Sequence, residues 1–412
     1  MQWFKVPPKI YFKRGALDLA LRVLKGKKRA FIVTDTHIFN SGAVDKIKKI
    51  LKEIDIEYQI FLDVKPDPTL SMIKDAMSQL LPYEPDIIIA LGGGSPMDAA
   101  KIMWLMYEQP DVDFKAISTK FIDIKGCAYN IPKLGEKATM VCIPTTSGTG
   151  AEVTPFAIVT DEKTGAKYAI ADYALTPNIA IIDPNFVDHM PRTLTAASGI
   201  DALVQAIEAY VSGISTNFTN SNALEAIKLI FRYLERSYNE GKNDPIAREK
   251  MHYAATIAGM SFANSFLGLC HSMAHNMGAM YNIPLGIANS LLIRQIIKFN
   301  VKEAEKRPET LPPFMSANAK TKYVQIADEL NLGGKNDDEK LERFILAIEG
   351  LMTAIDLPLS IKEYGISEKE FMKNINSLVK LAFHNKTSDK NIIYPSNEDI
   401  KKIYVDAFNG VV

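Results

Sequence analysis

The 412-residue sequence predicts an α/β domain followed by an all-helical domain. Up to about residue 190, apolar strand-like runs without apolar/polar alternation are separated by amphipathic helical segments, a pattern typical of a parallel sheet covered on both faces. Beyond that point, helical periodicity dominates and few strand-like runs occur. The length also exceeds what one compact core normally holds, so we predict domains at 1–193 and 194–412.

In the first domain, strand and helix patterns alternate along the chain. Helices are predicted around 41–54 and 70–81, the first with buried-type residues at helical spacing. The predicted strands are RAFIVTD (29–35), YQIFLDV (58–64), DIIIALGGG (86–94), ATMVCIPT (138–145) and IAIIDP (179–184).

The second domain begins after MPRTLTAASG (190–199), where the pattern changes. Helical periodicity continues through the segments IDALVQAIEAYVSG, NSNALEAIKLIFRYLERSY, AREKMHYAATIAGMSFANSF, 324–331 and 340–355. The Pro-rich segment 306–318 is predicted to be a surface loop within this domain.

Composition restricts the class of function. With 48 basic and 48 acidic residues the formal charge is zero, which argues against a nucleic-acid or membrane-surface binder. The three cysteines, Cys127, Cys142 and Cys270, show no CxxC spacing, which is typical of a reducing compartment. No signal peptide and no apolar run of the ~20 residues that span a bilayer occur. We therefore expect a soluble, cytoplasmic protein.

The glycine-rich turn GGGSPMDAAK (92–101) follows a buried-type strand and opens a helix. Glycines let backbone N–H groups approach an anion, and a helix N-terminus favours a phosphate. Ser95 and Asp98 suit the first turn of that helix, as a cap or as partners of the helix dipole. A tight turn without a ligand fits the glycines alone equally well.

Two further strand ends carry polar groups. Asp35 ends the first predicted strand, where a carboxylate can accept hydrogen bonds from a ribose, although such a residue is usually a helix cap. TTSGTGAE (145–152) is a hydroxyl-rich turn after a later strand. Its hydroxyls can hydrogen-bond to phosphates or to a nicotinamide amide: Thr145, Thr146, Ser147 and Thr149. Together these turns favour a dinucleotide.

The segment CHSMAHNMGAMYNIPLGIAN (270–289) places His271 and His275 four residues apart, and therefore on one face of a helix. Of the other histidines, we expect His37, His189, His252 and His384 to be exposed or capping. We expect Cys270 to be a small packing residue.

The motifs taken together resemble the iron-containing (group III) alcohol dehydrogenases, most of all the alcohol dehydrogenase domain of bifunctional aldehyde–alcohol dehydrogenases. The resemblance covers most of the chain from residue 3 to about 365, including the stretches WFKVPPKIYFKRG, PDIIIALGGGSPMDAAKIMWLMYE, IPTTSGTGAEVTPFAIVTD, SGIDALVQAIEAYVS and AREKMHYAATIAGMSFANSFLGLCHSMAH. It implies a Rossmann-like domain and a helical domain (the dehydroquinate synthase-like fold) with the active site in the cleft between them. It also implies hydride transfer between NAD(H) and a short-chain alcohol or aldehyde, and a homodimer or a higher assembly.

The resemblance also assigns cofactor contacts. It implies that Lys167 lies near the ribose and that Asp35 sets a preference for NAD. It implies pyrophosphate contacts from Gly92, Gly93, Gly94, Ser95 and Asp98. It also implies positions along the nucleotide for Thr145, Thr146, Ser147 and Thr149.

The family's divalent metal, Fe²⁺ or Zn²⁺, is held by four side chains, and this sequence departs from that pattern. Asp201 matches the first ligand and His271 the third, whereas Gln205 and Leu285 stand at the second and fourth positions. A neutral amide oxygen is a poor ligand for these metals, and leucine offers none. His275 matches a non-ligand histidine that moves protons between alcohol and solvent.

We therefore expect an NAD(H)-binding dehydrogenase fold with weak, altered or absent alcohol dehydrogenase activity. Two alternatives stay open. One is a metal-independent reductase of the same fold, in which His271 and His275 replace the metal. The other is a catalytically silent nucleotide-binding or assembly protein. The C-terminal segment 382–410 resembles the family's end but lacks the acidic, cysteine-containing turn that the resemblance implies before Tyr394 and Pro395, which bears on the substrate.

Overall fold

A computed structural model describes residues 3–112, 117, 133–163, 166–302, 318–385 and 391–411, with the side chains of 166 and 167 excluded. The chain forms two compact units, Met1–Met190 and Pro191–Val412. The predicted boundary at residue 193 falls one residue after the start of the first helix of the second unit. Cys127 and nearly all of the Pro-rich segment 306–318 lie outside the described residues.

A six-stranded parallel sheet forms the centre of the first unit, in the order β1-β8-β5-β4-β2-β3. Its strands are β1 Lys9–Phe12, β2 Arg29–Val33, β3 Glu57–Phe61, β4 Ile87–Gly92, β5 Thr139–Pro144 and β8 Ile179–Ile182. A separate antiparallel ribbon pairs β6 Phe156–Asp161 with β7 Ala166–Ala171. The five predicted strands are confirmed. The sequence did not indicate β1, a short strand at the sheet edge, or the ribbon.

Helices cover both faces of this sheet: α1 Ala16–Arg22, α2 Thr36–Asn40, α3 Ala43–Glu53, α4 Leu70–Tyr83 and α5 Gly94–Glu108. Successive residues of a strand point to opposite faces. Phe31 of β2 accordingly belongs to the apolar cluster on one side of the sheet and Ile32 to the cluster on the other. Burial on both faces explains why these strands read as continuous apolar runs.

The order of the strands identifies the edge of the sheet where a ligand is expected. From β2 the chain continues to β3 on one side, and then returns to β4 on the other side of β2. In open parallel sheets, ligands bind beyond the carboxyl ends of the strands at such a switch point. Asp35 follows β2 and Gly93 follows β4, so these two residues flank the switch point of this sheet.

The described residues of the second unit form helices joined by turns and loops, without a strand. Its helices are α6 Arg192–Val211, α7 Asn217–Glu240, α8 Pro245–Ser265, α9 Leu269–Tyr281, α10 Leu285–Asn300, α11 Ala319–Glu329, α12 Asp337–Ala354, α13 Ile361–Tyr364, α14 Glu368–Phe383 and α15 Asn397–Asn409. Nearly every residue of α6 from Gly199 onward is buried, so this helix is the centre of the unit. Within the described part of the chain, no helix is long and apolar enough to cross a membrane.

One close contact fixes α10 against α6. A Cβ atom added at Gly286 would lie 1.8 Å from the carbonyl oxygen of Ala197 and 3.0 Å from Cβ of Asp201. Only glycine allows the two backbones to approach this closely. The contact places the first turn of α10 beside the residues of α6 that carry the polar groups of this unit.

Candidate functional site

In the first unit, the backbone of the glycine turn leaves no room for a side chain at its first residue. Gly92 has a φ of 155°, and a Cβ atom there would lie 2.5 Å from Cγ of Pro96. Gly93 is the N-cap of α5, and no side chain caps this helix. Ser95, the second residue of α5, is half-buried. An uncapped helix N-terminus after a tight glycine turn is suited to binding a phosphate.

The hydroxyl-rich turn lies directly against this glycine turn. The amide of Thr145 donates to the carbonyl of Gly92 at 2.9 Å. A Cβ atom at Gly93 would come within 3.3 Å of Thr146 Cγ2, and one at Gly94 within 3.2 Å of Thr149 Cγ2. Thr145 and Ser147 are buried, whereas Thr146 and Thr149 are half-buried. The structure therefore brings the two turns together, and side chains in place of the glycines would separate them.

On the other side of β4, Asp35 caps α2. One of its carboxylate oxygens accepts a hydrogen bond from the amide of Ile38 at 2.9 Å. The capping interpretation of this residue is therefore correct as a description of its local structure. Its position after β2, next to β4 in the sheet, leaves it at the switch point as well.

For Asp98 the expected capping or dipole role is wrong. Asp98 lies in the second turn of α5, and its carboxylate accepts from the amide of Ile158 in β6 at 3.2 Å. Burial raises the pKa of Asp98 to about 7. The prediction failed because it placed the start of the helix too late, whereas α5 begins at Gly94. The side chain of Lys167 lies outside the described residues.

Lys101, a fully buried lysine on α5, was not predicted from the sequence as a site residue. Its ammonium group donates to the carbonyl oxygens of Ala151 and Thr154, both at 2.7 Å, and of Phe156 at 3.0 Å. Burial lowers its pKa. A lysine within an apolar helix was the available signal, since buried lysines require partners. Lys101 thus fixes the end of the hydroxyl-rich turn and the segment that follows it.

In the second unit, a buried polar cluster joins three helices. Asp201, Gln205 and Glu208 lie on one face of α6, because their spacing is i, i+4 and i+7. His271 comes from α9 and Asn289 from α10. All five residues are at most 5% exposed, so each polar side chain needs a partner inside the protein.

Asp201 accepts hydrogen bonds from two amides. Gln205 Nε2 donates to Asp201 Oδ2 at 2.9 Å, and Asn289 Nδ2 donates to Asp201 Oδ1 at 2.8 Å. Among the described residues, Gln205 Oε1 and Asn289 Oδ1 are buried without a hydrogen-bond partner. Gln205 therefore lies where the family comparison put it, but it uses its nitrogen toward Asp201 and not its oxygen.

His271 is held from both sides of its ring. Nδ1 lies 2.6 Å from Glu208 Oε2, and Nε2 lies 3.0 Å from Asn289 Nδ2 and 3.6 Å from Asp201 Oδ1. Burial lowers the pKa of His271, but the carboxylates of Glu208 and Asp201 outweigh that effect and raise it to about 9. His271 is therefore a hydrogen-bonded member of a buried polar cluster.

The carboxylate of Glu208 also holds the start of α9. Its Oε1 accepts from the amide of Cys270 at 2.6 Å, and Asn391 Oδ1 accepts from the amide of Leu269 at 3.3 Å. The sequence did not predict roles for Glu208, Asn289 and Asn391. For Glu208 the signal was its helical spacing from Asp201. Cys270 is buried as expected, with Sγ 3.4 Å from the carbonyl of Asn289.

His275 and Leu285 border this cluster. His275 is half-buried, and its ring centroid lies 6.1 Å from that of His271. Leu285 is the first residue of α10 and is also half-buried. His275 is therefore one helical turn from the buried histidine and closer to solvent, as a proton-transfer group requires.

The cluster fits a transition metal only in part. Two ligands of a tetrahedral zinc ion lie about 3.4 Å apart, which the 3.6 Å between Asp201 Oδ1 and His271 Nε2 matches. The remaining two ligand positions of the family hold Gln205, whose amide is a weak ligand, and Leu285, which has no ligand atom. Across the described residues, no group of three or more His, Cys, Asp or Glu side chains is arranged to hold a metal. The donor set therefore does not fit the family metal.

Three of the four remaining histidines, His37, His189 and His384, are exposed as predicted. His252 is only 1% exposed on α8, so the expectation for that residue is wrong. The apolar periodicity of α8 continues around the helix, and this buries a ring that the sequence placed at the surface.

Comparisons with known proteins follow the same division. A model of the family "Iron-containing alcohol dehydrogenase" matches residues 7–184, and the C-terminal model of the Fe-containing alcohol dehydrogenase family matches residues 195–408. The bifunctional aldehyde-alcohol dehydrogenase AdhE of Escherichia coli K12 is 46% identical over the full chain, and the chain spans 46% of that protein's length. The chain therefore covers about half the length of such curated relatives.

Two other matches span complete proteins. The NADPH-dependent butanol dehydrogenase of Clostridium saccharobutylicum is 38% identical, with 100% of this chain and 99% of that protein covered. The structure of an iron-containing alcohol dehydrogenase from Thermococcus thioreducens superposes with a TM-score of 0.87 at 29% identity, covering 100% of both chains.

Proposed function

Since this chain belongs to the iron-containing alcohol dehydrogenase family, we propose that it is an NAD(H)-dependent oxidoreductase for a short-chain alcohol and its aldehyde. In this reaction a hydride passes from the alcohol carbon to NAD⁺ while the hydroxyl proton leaves, giving aldehyde, NADH and H⁺. We also propose that the protein is a cytoplasmic homodimer, with a small-molecule partner and no nucleic-acid or membrane partner.

One observation carries the proposal. The glycine turn after β4 and the hydroxyl-rich turn after β5 are in direct contact, beside the switch point of a parallel sheet and at an uncapped helix N-terminus. This arrangement supports a pyrophosphate at Gly93, Gly94 and Ser95. It also supports hydrogen bonds along the dinucleotide from Thr146 and Thr149, which are the accessible hydroxyls of that turn.

Asp35 supports NAD(H) over NADP(H). Its carboxylate at the switch point can accept a hydrogen bond from a ribose hydroxyl, and it would repel a 2′-phosphate. The butanol dehydrogenase relative, by contrast, is named for NADPH, so the family alone does not decide the cofactor.

We assign the proton transfer to His275. It is half-buried next to the polar cluster and can pass the hydroxyl proton of the alcohol to solvent, a role that imidazole serves near neutral pH. When bound, the family metal would polarise the alcohol oxygen. Because Gln205 and Leu285 replace two of its ligands, we propose turnover that is weak and not dependent on that metal.

The test measures binding and turnover separately. Fluorescence titration with NADH and NADPH should give tight binding of NADH alone. Ethanol oxidation and acetaldehyde reduction are then followed before and after dialysis against EDTA, with and without added Fe²⁺ or Zn²⁺. We expect slow turnover that EDTA leaves unchanged.

Three other results separate the alternatives. Loss of the rate in EDTA would contradict the metal-independent proposal. NADH binding without turnover of either substrate would favour a silent nucleotide-binding or assembly protein. Failure to bind NADH would overturn the proposal as a whole.

A further inference from the structure

A single amide nitrogen contacts both side chains that remain at the family's ligand positions. Asn289 Nδ2 lies 2.8 Å from Asp201 Oδ1 and 3.0 Å from His271 Nε2. Those two acceptor atoms are themselves 3.6 Å apart. The amide group has two N–H bonds, so it can donate one to each acceptor. Asn289 therefore joins Asp201 and His271 as a bridging donor.

The atoms that would bind a metal are already used by this hydrogen-bond network. A neutral imidazole has one nitrogen that carries a proton and one with a lone pair. In a neutral ring with Nδ1–H donated to Glu208, the lone pair of Nε2 accepts from Asn289. A doubly protonated ring has no lone pair for a metal, and Asn289 then donates to Asp201 alone. Both oxygens of Asp201 also accept from amides, Oδ1 from Asn289 and Oδ2 from Gln205.

The packing around Asn289 prevents its side chain from moving away from Asp201 and His271. Asn289 is 0% exposed, its backbone carbonyl accepts from Sγ of Cys270 at 3.4 Å, and its helix is held by the contact of Gly286 with Ala197. Before Asp201 and His271 could bind a cation, both hydrogen bonds from the amide would have to break. The amide N–H groups would then need new acceptors inside a packed core. A buried amide left without hydrogen-bond partners destabilises the folded protein.

We propose that Asn289, assisted by Gln205, takes the structural place of the metal in this chain and excludes divalent cations from the cluster. Restoring the two missing imidazoles, Gln205→His and Leu285→His, is then not enough to recover tight metal binding, because Asn289 still occupies the acceptors. This inference concerns the second unit alone, so it stands or falls independently of NAD(H) binding by the first.

The first test replaces the bridging donor with an acceptor of the same shape. In Asn289→Asp, two carboxylates face each other, and a divalent cation relieves their repulsion. Purified metal-free protein is titrated with Co²⁺, followed by the d–d absorption band. We expect the variant to bind Co²⁺ at least about tenfold more tightly than wild type, and Co²⁺ or Zn²⁺ to raise its thermal midpoint while leaving that of wild type unchanged.

A matched control tests whether any buried negative charge has this effect. Asn300 is also buried on α10, where it donates to the hydroxyl of Tyr323 and accepts from Asn391. Asn300→Asp should bind Co²⁺ no more tightly than wild type. Equal Co²⁺ affinity for wild type and Asn289→Asp overturns the proposal. A gain in Co²⁺ affinity in Asn300→Asp equal to that in Asn289→Asp also overturns it.

A second comparison decides the matter if Asn289→Asp does not fold, as judged by circular dichroism and thermal unfolding. The double variant Gln205→His/Leu285→His is titrated with Co²⁺ beside the triple variant that adds Asn289→Ala. Tighter binding by the triple variant supports the role of Asn289. Equal or weaker binding by the triple variant overturns it.

Discussion

Glu208 Oε2 lies 2.6 Å from Nδ1 of His271, and Glu208 Oε1 accepts from the backbone amide of the preceding residue, Cys270. One carboxylate thus holds both the ring and the start of its helix. Because Nδ1 donates to Glu208, Nε2 of the neutral ring is left as the acceptor that faces Asp201 and Asn289.

Glu208→Gln should therefore invert the tautomer of the neutral His271 ring. The new amide oxygen still accepts from Cys270, but its NH₂ group faces Nδ1, so the proton moves to Nε2. We expect ¹⁵N NMR of histidine-labelled, metal-free protein, recorded above the His271 pKa of about 9, to show this exchange, with a loss of about 1–3 kcal/mol in the free energy of unfolding. Glu225→Gln, at an exposed position on α7, is the control. An unchanged tautomer in Glu208→Gln would show that Glu208 does not orient the ring.

Gly94→Ala should weaken NADH binding with little loss of stability. The added Cβ atom would lie 3.2 Å from Cγ2 of Thr149, so the two turns must separate by a few tenths of an ångström. We expect NADH affinity to fall about tenfold, as expected for a displacement that costs roughly 1.4 kcal/mol of binding free energy.

Gly350→Ala is the matched control for that substitution. A Cβ atom at Gly350, within α12, meets nothing within 4 Å. This change should stabilise the protein by about 0.5–1 kcal/mol and leave NADH affinity unaltered. Equal NADH affinities for the two variants would contradict a cofactor site at the glycine turn.

Asp98→Asn should change how stability depends on pH. The folded pKa of about 7 is above the ordinary value of 3.8, so the folded protein holds this proton more tightly than the unfolded chain does. The stabilisation of the folded protein by this bound proton is complete below pH 3.8 and is lost as the pH rises to about 7. In the variant, the amide oxygen still accepts from Ile158 but carries no charge.

Urea unfolding at a series of pH values checks this prediction. Wild type and Asp98→Asn should be equally stable near pH 4. At pH 8 the variant should be more stable by about 1 kcal/mol, a modest value because Asp98 is partly exposed. Parallel stability curves for the two proteins across this range would show that Asp98 titrates normally.

Lys101→Met should lower the free energy of unfolding by about 3 kcal/mol, because three buried carbonyl groups lose their donor. Lys74→Met, at an exposed position on α4, is the control and should stay within about 0.5 kcal/mol of wild type. Chemical denaturation followed by circular dichroism measures both. Similar stability of the two variants would contradict the anchoring role of Lys101.

The first unit was predictable because local pattern and tertiary environment agree there. Continuous apolar runs such as Ile87–Leu91 are buried on both faces, and their polar ends collect at one edge of the sheet. Asp98 was placed in the wrong helical turn because three successive glycines do not indicate where a helix begins. Lys101 was missed because its carbonyl partners lie 50 or more residues along the chain.

In the second unit, sequence reasoning identified Asp201, Gln205 and His271, which the structure brings together. It did not identify Asn289, because an asparagine in a helix gives no local signal of its partner. Those partners lie 88 and 18 residues away, on two other helices. Contacts of this kind depend on how helices pack, and helical periodicity specifies only which face is buried.

The contact between Gly286 and Ala197 also makes position 285 useful for enzyme design. Backbones this close cannot slide or rotate past one another, so the Cα–Cβ direction at residue 285 relative to α6 is fixed. A side chain introduced there enters from a known point at a known angle. Libraries at this position would therefore sample the chemistry of the introduced group with little variation in its placement.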